Sequence, residues 1–361
     1  MKGVFSGALF GLTVAAALAV TSGAAVAKKF DDVTLTIATF GGPWADRLTA
    51  ELKDKMAAEG ITMKFVGGGT EEFLAQLIAA RGQTPPFDVV EVSEATYPDL
   101  LRGEFLQKLD LSAIPNKDQL AEGMYNDYRV GYWATEPGIL YNIEKLKAAG
   151  IAPPQHYSDL ANPALAGRVL LSDITGYMGY YQVLGLAYEN GGSVKDPQPG
   201  FDKMAEIKPH SYSGSVATTL QLFKSGDVWV GAFPAHLGIR MAKAGIDMAA
   251  VHPVIDGHKG ALSLGYLAVP ARSPNKAAAE FFINAVIDQT VQKNLYEWAA
   301  TIPTNTNTMK QVIGDLVLDS EGRPFLQMDP AVVAKTWQPD LSEVNKRNWV
   351  RSWQRAVAAQ Q

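Results

Sequence analysis

Short apolar runs, each closed by a glycine or proline turn and followed by a stretch at helical spacing, recur from residue 33 onward. Residues 33–40 (VTLTIATF) predict a strand ended by Gly41-Gly42-Pro43. Trp44 then opens a helix on which Leu48, Leu52 and Met56 follow at spacings of four. The unit repeats. Residues 62–66 are a second strand, a glycine-rich turn at 67–69 leads into a helix capped by Thr70 with Glu71 and Glu72 in its first turn, and residues 87–92 (FDVVEV) are a third strand. Three such βα units predict a mostly parallel sheet whose ligands gather at the C-terminal strand ends, where Trp44 and Glu94 both fall.

The second half repeats the pattern around GRVLLSDITGYMGYY, residues 167–181. Val169, Leu170 and Leu171 form the apolar run of a strand covered on both faces. Ser172, Asp173 and Thr175 supply caps, and Tyr177, Tyr180, Tyr181 and Leu184 recur at helical spacing. A helix start exposes backbone N–H groups and about half a positive charge, so this junction reads as one wall of a ligand cleft. Residues 228–232 form a further strand, with Phe233 and His236 at its end. Strands at 138–142 and 260–270 read as crossings between two lobes, and residues 301–307 (TIPTNTN) as a third hinge strand or loop. Trp337, Trp349 and Trp353 in the tail predict helices packed back on the second lobe.

The address is read from the first 27 residues. Lys2, an Ala-rich apolar stretch at 4–20 and the small residues Ala25-Val26-Ala27 make a secretory signal peptide with a cut after Ala27; the apolar part is short for a membrane anchor. The chain has no cysteine. That excludes a lipid-anchored form, thiolate catalysis and cysteine metal sites, and points to free diffusion in a periplasm. The net charge of −5, one unit more negative once Lys2 leaves, carries no basic stripe and excludes nucleic acid as a partner. The roughly 330 residues left after cleavage suggest two domains.

Catalysis finds little support. The five histidines show no HExxH spacing, there is no G-x-S-x-G elbow, and Asp173 with Glu94 is the one acid–base pair on offer. An exported enzyme is thus the remote alternative, and no cofactor or metal is expected. Trp44 reads as a ligand platform or as a cap packed on the core, and His236 as a ligand contact or a capped surface histidine. Asp173 is an ammonium partner or only a helix cap. In the second case Ser172, Thr175 and the N–H groups of Gly176 and Tyr177 would hold a carboxylate or phosphonate, assisted by Arg240 or His236.

Four segments carry a family resemblance: FLQKLDLSAIPN, PGILYNIEKLKAAGIAPPQHYSDLANPALAGRVLLSD, LFKSGDVWVGAF, and YLAVPARSPNKAAAEFFINAVIDQ followed by TIPTNTN. With them the chain resembles the periplasmic solute-binding proteins of bacterial importers, in particular the class that binds spermidine and putrescine. The resemblance implies an α/β fold of two lobes (type II), each a mostly parallel sheet with one antiparallel strand. Residues 28–140 plus 263–303 would form lobe 1 and residues 141–262 plus 304–361 lobe 2. It also implies a monomer that closes on a small ligand and docks on a membrane permease with its ATPase; a chemoreceptor partner would use the same cleft. Polyamine binders hold ammonium groups with several carboxylates and stack the chain on aromatic rings. Here Trp44, Tyr97, Trp133, Tyr177 and Phe233 supply rings, but acids are few: Asp173 and Glu94, with Ile174, Tyr177 and Gly265 where the family places others. An amine, an amino acid or a zwitterion therefore fits better than spermidine. Tyr177, Tyr180 and Tyr181 also resemble the tyrosine sets of ferric-iron binders, a further alternative.

Overall fold

The computed structural model describes residues 1, 3, 28–174, 178–342 and 344–360. The expected leader at 1–27 lies almost wholly outside them, as do Thr175, Gly176 and Tyr177.

The strands are β1 (Val33–Thr39), β2 (Ile61–Gly67), β3 (Val89–Val92), β4 (Arg129–Thr135), β5 (Pro137–Asn142), β6 (Val169–Ser172), β7 (Pro209–Ser213), β8 (Val230–Pro234), β9 (Met248–Val251), β10 (Val254–Ile255), β11 (His258–Lys259) and β12 (Ser263–Ala268). They build two five-stranded sheets, ordered β2-β1-β3-β12-β4 and β7-β6-β8-β5-β9, with β10 and β11 as a separate hairpin. Each large sheet is parallel except for one strand, β12 in the first and β5 in the second. These two strands are the ones delivered from the other sheet. A chain arriving across the cleft enters at the C-terminal end of the parallel strands, so it must run against them.

The change of sheet falls at Glu136, between β4 and β5, a few residues before the 140/141 boundary expected from the sequence. Residues 301–307 run along the outer edge of β4: Ala134 and Ile302 exchange backbone bonds, and Thr304 Oγ1 donates to Gly131 O. The helix Thr306–Val312 stays beside the helix Gln289–Ala299 near the first sheet, and the chain reaches the second sheet further on, where Phe325 packs on Gly238 and Leu262 donates to Trp337 O. Three crossings thus meet at Glu136. Its carbonyl accepts from Ala235 N, and its fully buried carboxylate accepts from Gln327 N at 2.8 Å and Gln327 Nε2 at 2.7 Å, with His252 Nε2 at 3.7 Å.

The tail tryptophans pack as expected. Trp349, on the helix Lys346–Ala359, lies against Tyr180 and Phe201, and Trp337, which is not in a helix but bridges Ala261, lies against Tyr181 and Tyr188 on the helix Gly179–Glu189. Burying rings of this size contributes on the order of 2–3 kcal/mol each, so the tail is integral to that layer.

Candidate ligand site

β1, β3 and β4 end at one place, and their last residues build an aromatic box around an acid. Trp133 and Tyr132 come from β4, Phe40 follows β1, and Trp44 begins the helix Pro43–Ala58. Trp44 sits about 6 Å, centroid to centroid, from Phe40, Tyr132 and Trp133, and its Nε1 donates to Tyr132 Oη at 3.1 Å. Trp298 extends the stack at 5.7 Å from Trp44 and is 42% exposed, which places this cluster at the cleft rim.

Under the rings lies Glu91, on β3 and only 1% exposed. One carboxylate oxygen accepts from Trp133 Nε1 at 2.9 Å; the other accepts from Thr39 Oγ1 and, at 3.4 Å, from Phe40 N. Burial raises its pKa above the ordinary carboxylate value, and the Thr39, Trp133, Tyr132 and Phe40 bonds oppose that rise. Among the described residues no lysine, arginine or histidine forms an ion pair with it. A carboxylate kept from water without a cation costs several kcal/mol, so its place on a cavity wall invites a cationic ligand.

That cavity, of about 280 Å³, is lined by Phe40, Trp133, Glu91, Glu71, Glu72 and the Ser263–Gly265 end of β12, among others, and no basic residue lines it. Glu72 is occupied as the cap of its own helix, accepting from Gly69 N at 3.2 Å. Glu71 pairs instead with Lys346, 2.9 Å away, which also reaches Asp99 at 3.1 Å. Lys346 opens the helix Lys346–Ala359 that packs on the second sheet's helices, so this contact ties the two halves together at the mouth. Arg102 Nη1 adds a bond to Ser342 O at 2.7 Å.

Gly265 accounts for the missing family acid. A Cβ there would lie 2.0 Å from Trp133 Nε1, because the indole crosses β12 directly over it on the way to Glu91. A side chain at 265 and this Trp133 geometry exclude each other. The acid of this wall comes from β3, at Glu91.

The remaining predicted residues divide. Trp44 and Trp133 are in the box. Glu94 is buried beside β12 rather than on a cavity wall, accepting from Leu264 N at 2.6 Å, and burial lifts its pKa to about 7. Ser172 and Phe233 line a separate cavity of about 20 Å³ at the strand ends of the second sheet, with Ser213, Ser215 and Thr219. Ser172 spends its polar groups locally, with Oγ donating to Ala232 O and its backbone clasped by Gln182. Asp173 follows β6, and its N–H bonds Ser213 O at 3.3 Å. His236 Nδ1 lies 2.8 Å from Thr135 Oγ1, and burial together with nearby Arg240 pushes its pKa down to about 3. As a neutral imidazole it could assist an anion only as a hydrogen-bond donor. Tyr180 and Tyr181 are committed to packing: burial raises both phenols well above 10, and Tyr181 Oη donates to Leu262 O.

Glu91 is the residue sequence reasoning missed. Its signal was present: in VVEV, residues 89–92, an acid stands in an otherwise apolar run, and all four residues are buried. An ionisable residue inside a covered strand calls for a partner or a function.

Comparison with known proteins gives a coherent picture. A family model described as bacterial extracellular solute-binding protein matches residues 47–315. No curated protein sequence matches. A solved ABC transporter structure from Clostridium perfringens superposes with a TM-score of 0.70 at 22% identity, covering 89% of this chain and 99% of its own. The spermidine/putrescine ABC transporter substrate-binding protein of Streptococcus pneumoniae gives a TM-score of 0.68 at 15% identity, covering 91% and 99%. A GABA receptor gives 0.67 at 20%, covering 91% and 98%.

Proposed function

The chain belongs to the bacterial extracellular solute-binding proteins, the solute-capturing components of ABC importers, and on that premise we propose that its ligand is a small amine bearing one ammonium group. The observation that carries this reading is Glu91, buried beneath Trp133 with donors to both oxygens and no cationic partner among the described residues. An ammonium group entering the cavity supplies the missing charge, and the faces of Phe40 and Trp133 attract it further. Glu71 is paired with Lys346 and Glu72 is engaged as the cap of its own helix, which leaves Glu91 as the fully buried acid on the wall that no cation among the described residues meets. A singly charged amine, or a zwitterion whose carboxylate meets the second half beside Ser172 and Phe233, matches that balance; a tri- or tetracationic polyamine does not. The neighbours named for GABA and for spermidine and putrescine support an amine in this fold class.

Capture proceeds as hinge closure. The ligand binds the box, the Ser172–Phe233 pocket closes over it, and the segments meeting at Glu136 bend. The closed protein, a monomer cleaved after Ala27 in the periplasm, then docks on a permease with its ATPase. Among the described residues no helix is long and apolar enough to cross a membrane, in keeping with an exported carrier.

A thermal-shift screen on protein unfolded and refolded to strip carried-over ligand tests the reading. Amines and amino acids at about 100 times Kd add roughly 2.7 kcal/mol, a rise of several degrees. Hits confined to anions or ferric iron refute it.

A further inference from the structure

A second cavity, about 380 Å³, lies at the opposite end of the first sheet, where β3 begins and β12 ends. It is built by the loop after the helix Thr70–Ala79, the turn after the helix Tyr97–Arg102, and Ala271-Arg272 beyond β12. Three guanidinium groups line it, from Arg81, Arg102 and Arg272, against one carboxylate, Glu104. Arg102 is paired with Asp99. Arg81 and Arg272 form no ion pair among the described residues.

Both are nevertheless held in place. Arg81 Nη2 donates to Gly103 O at 3.1 Å, and its guanidinium lies 4.8 Å from the centre of the Phe105 ring. Arg272 Nη1 donates to Gly82 O. Each carbonyl uses part of a five-donor fork and fixes its direction, leaving the other N–H groups to meet an acceptor. The backbone is strained at the same place. Arg272 and Glu104 have φ of 66° and 55°, two of the five non-glycine residues with positive φ among those described, and Gly82 has φ of 83°. Strain of this kind gathers at functional sites. Leu77, Pro85, Phe105 and Ala271 provide apolar walls between the charges.

We propose that this cavity is a binding site for a small polyvalent anion carrying carboxylate or phosphate groups, with Arg81 and Arg272 as its bidentate clamps and Arg102 as a third positive charge. It is separate from the amine cavity: the two share no lining residue. Lined by exposed arginines, it should hold its ligand with modest, salt-sensitive affinity.

The test is isothermal titration of the mature protein with citrate and with inorganic phosphate, at constant ionic strength set by chloride. Citrate is expected to bind at one site, more tightly than phosphate. Arg81→Gln should weaken citrate at least tenfold. Arg272→Gly removes the guanidinium while relieving the positive φ, so it should weaken citrate equally without lowering the Tm. Purely structural arginines would give the reverse, a lowered Tm with citrate binding intact, and would overturn the proposal. So would equal affinity in all three proteins, or no citrate binding beyond what chloride produces.

Discussion

Replacing Glu91 by glutamine separates charge from shape at the floor of the amine cavity. Glutamine can keep the Trp133 N–H on its carbonyl oxygen and turn its amide toward Thr39, whose hydroxyl then donates to Tyr132 Oη, 3.2 Å away. The bonds weakened are the 3.4 Å contact from Phe40 N and the one from the Tyr132 hydroxyl. The folded protein without ligand therefore loses little and sheds a carboxylate whose burial is unfavourable, so its Tm should hold or rise. Binding should respond in the opposite sense. A charge-assisted bond to a buried carboxylate contributes about 1–2 kcal/mol beyond its neutral counterpart, which lowers amine affinity by about 5- to 30-fold. The pH dependence sharpens the distinction. Because burial raises the Glu91 pKa, wild-type affinity should climb as pH rises through that elevated value and the carboxylate ionises, while Glu91→Gln should show no such climb. Calorimetric titration with the best amine from the screen, alongside Tm of both proteins, reads all three quantities. Affinity within threefold of wild type refutes Glu91 as the ammonium partner, and a large fall in Tm without ligand would make it a structural residue instead.

Gly265→Ala places a Cβ 2.0 Å from Trp133 Nε1, so the indole must leave Glu91; the Tm should fall by several degrees, for an overpacking cost of about 1–3 kcal/mol, and amine binding should be lost, while retained binding would show that Trp133 is not needed. Glu94 is lifted to about 7 by burial, so the folded state holds this proton more tightly than the unfolded chain does. Its contribution to stability is therefore fullest below the ordinary carboxylate value of 4.5 and declines by about 3 kcal/mol as pH rises to 7. Glu94→Gln, which keeps an acceptor for Leu264 N, should remove that decline, and denaturant titrations of both proteins at pH 5 and 8 would detect its persistence. Lys346→Met breaks the pairs with Glu71 and Asp99. These half-exposed pairs contribute about 1 kcal/mol together, so the ligand-free population should shift roughly fivefold toward open forms, seen as a larger radius in X-ray scattering; superimposable curves would rule out a latch. Asp99 reports the same contact, since Lys346 and Arg102 outweigh its burial and hold its pKa below normal.

The architecture was legible along the chain because it rests on local rules. Apolar runs of strand length, helical spacing after each, and glycine or proline turns between them specify βα units without reference to distant residues, and the family motifs supplied the two lobes. Trp44 and Trp133 could be nominated on the same ground, as rings placed where strands end. Charge balance is a different matter, since it depends on what each acid meets across the sheet. Glu91 and Glu94 stand three residues apart, yet one is a buried acid on a cavity wall and the other is spent on Leu264 N, and only the register of β12 against β3 separates those fates. Gly265 looked like a lost acid until the indole of Trp133, over a hundred residues earlier, was found lying across it. His236 carries a titratable ring in any sequence, but burial and Arg240 decide that it stays neutral. Sequence periodicity determined which segments are strands and helices because the alternation of side chains, two residues per repeat on a strand and about 3.6 on a helix, is set by local backbone geometry. Tertiary structure alone decided which acid awaits a ligand, because desolvation and ion pairing are set by neighbours that the chain order does not reveal.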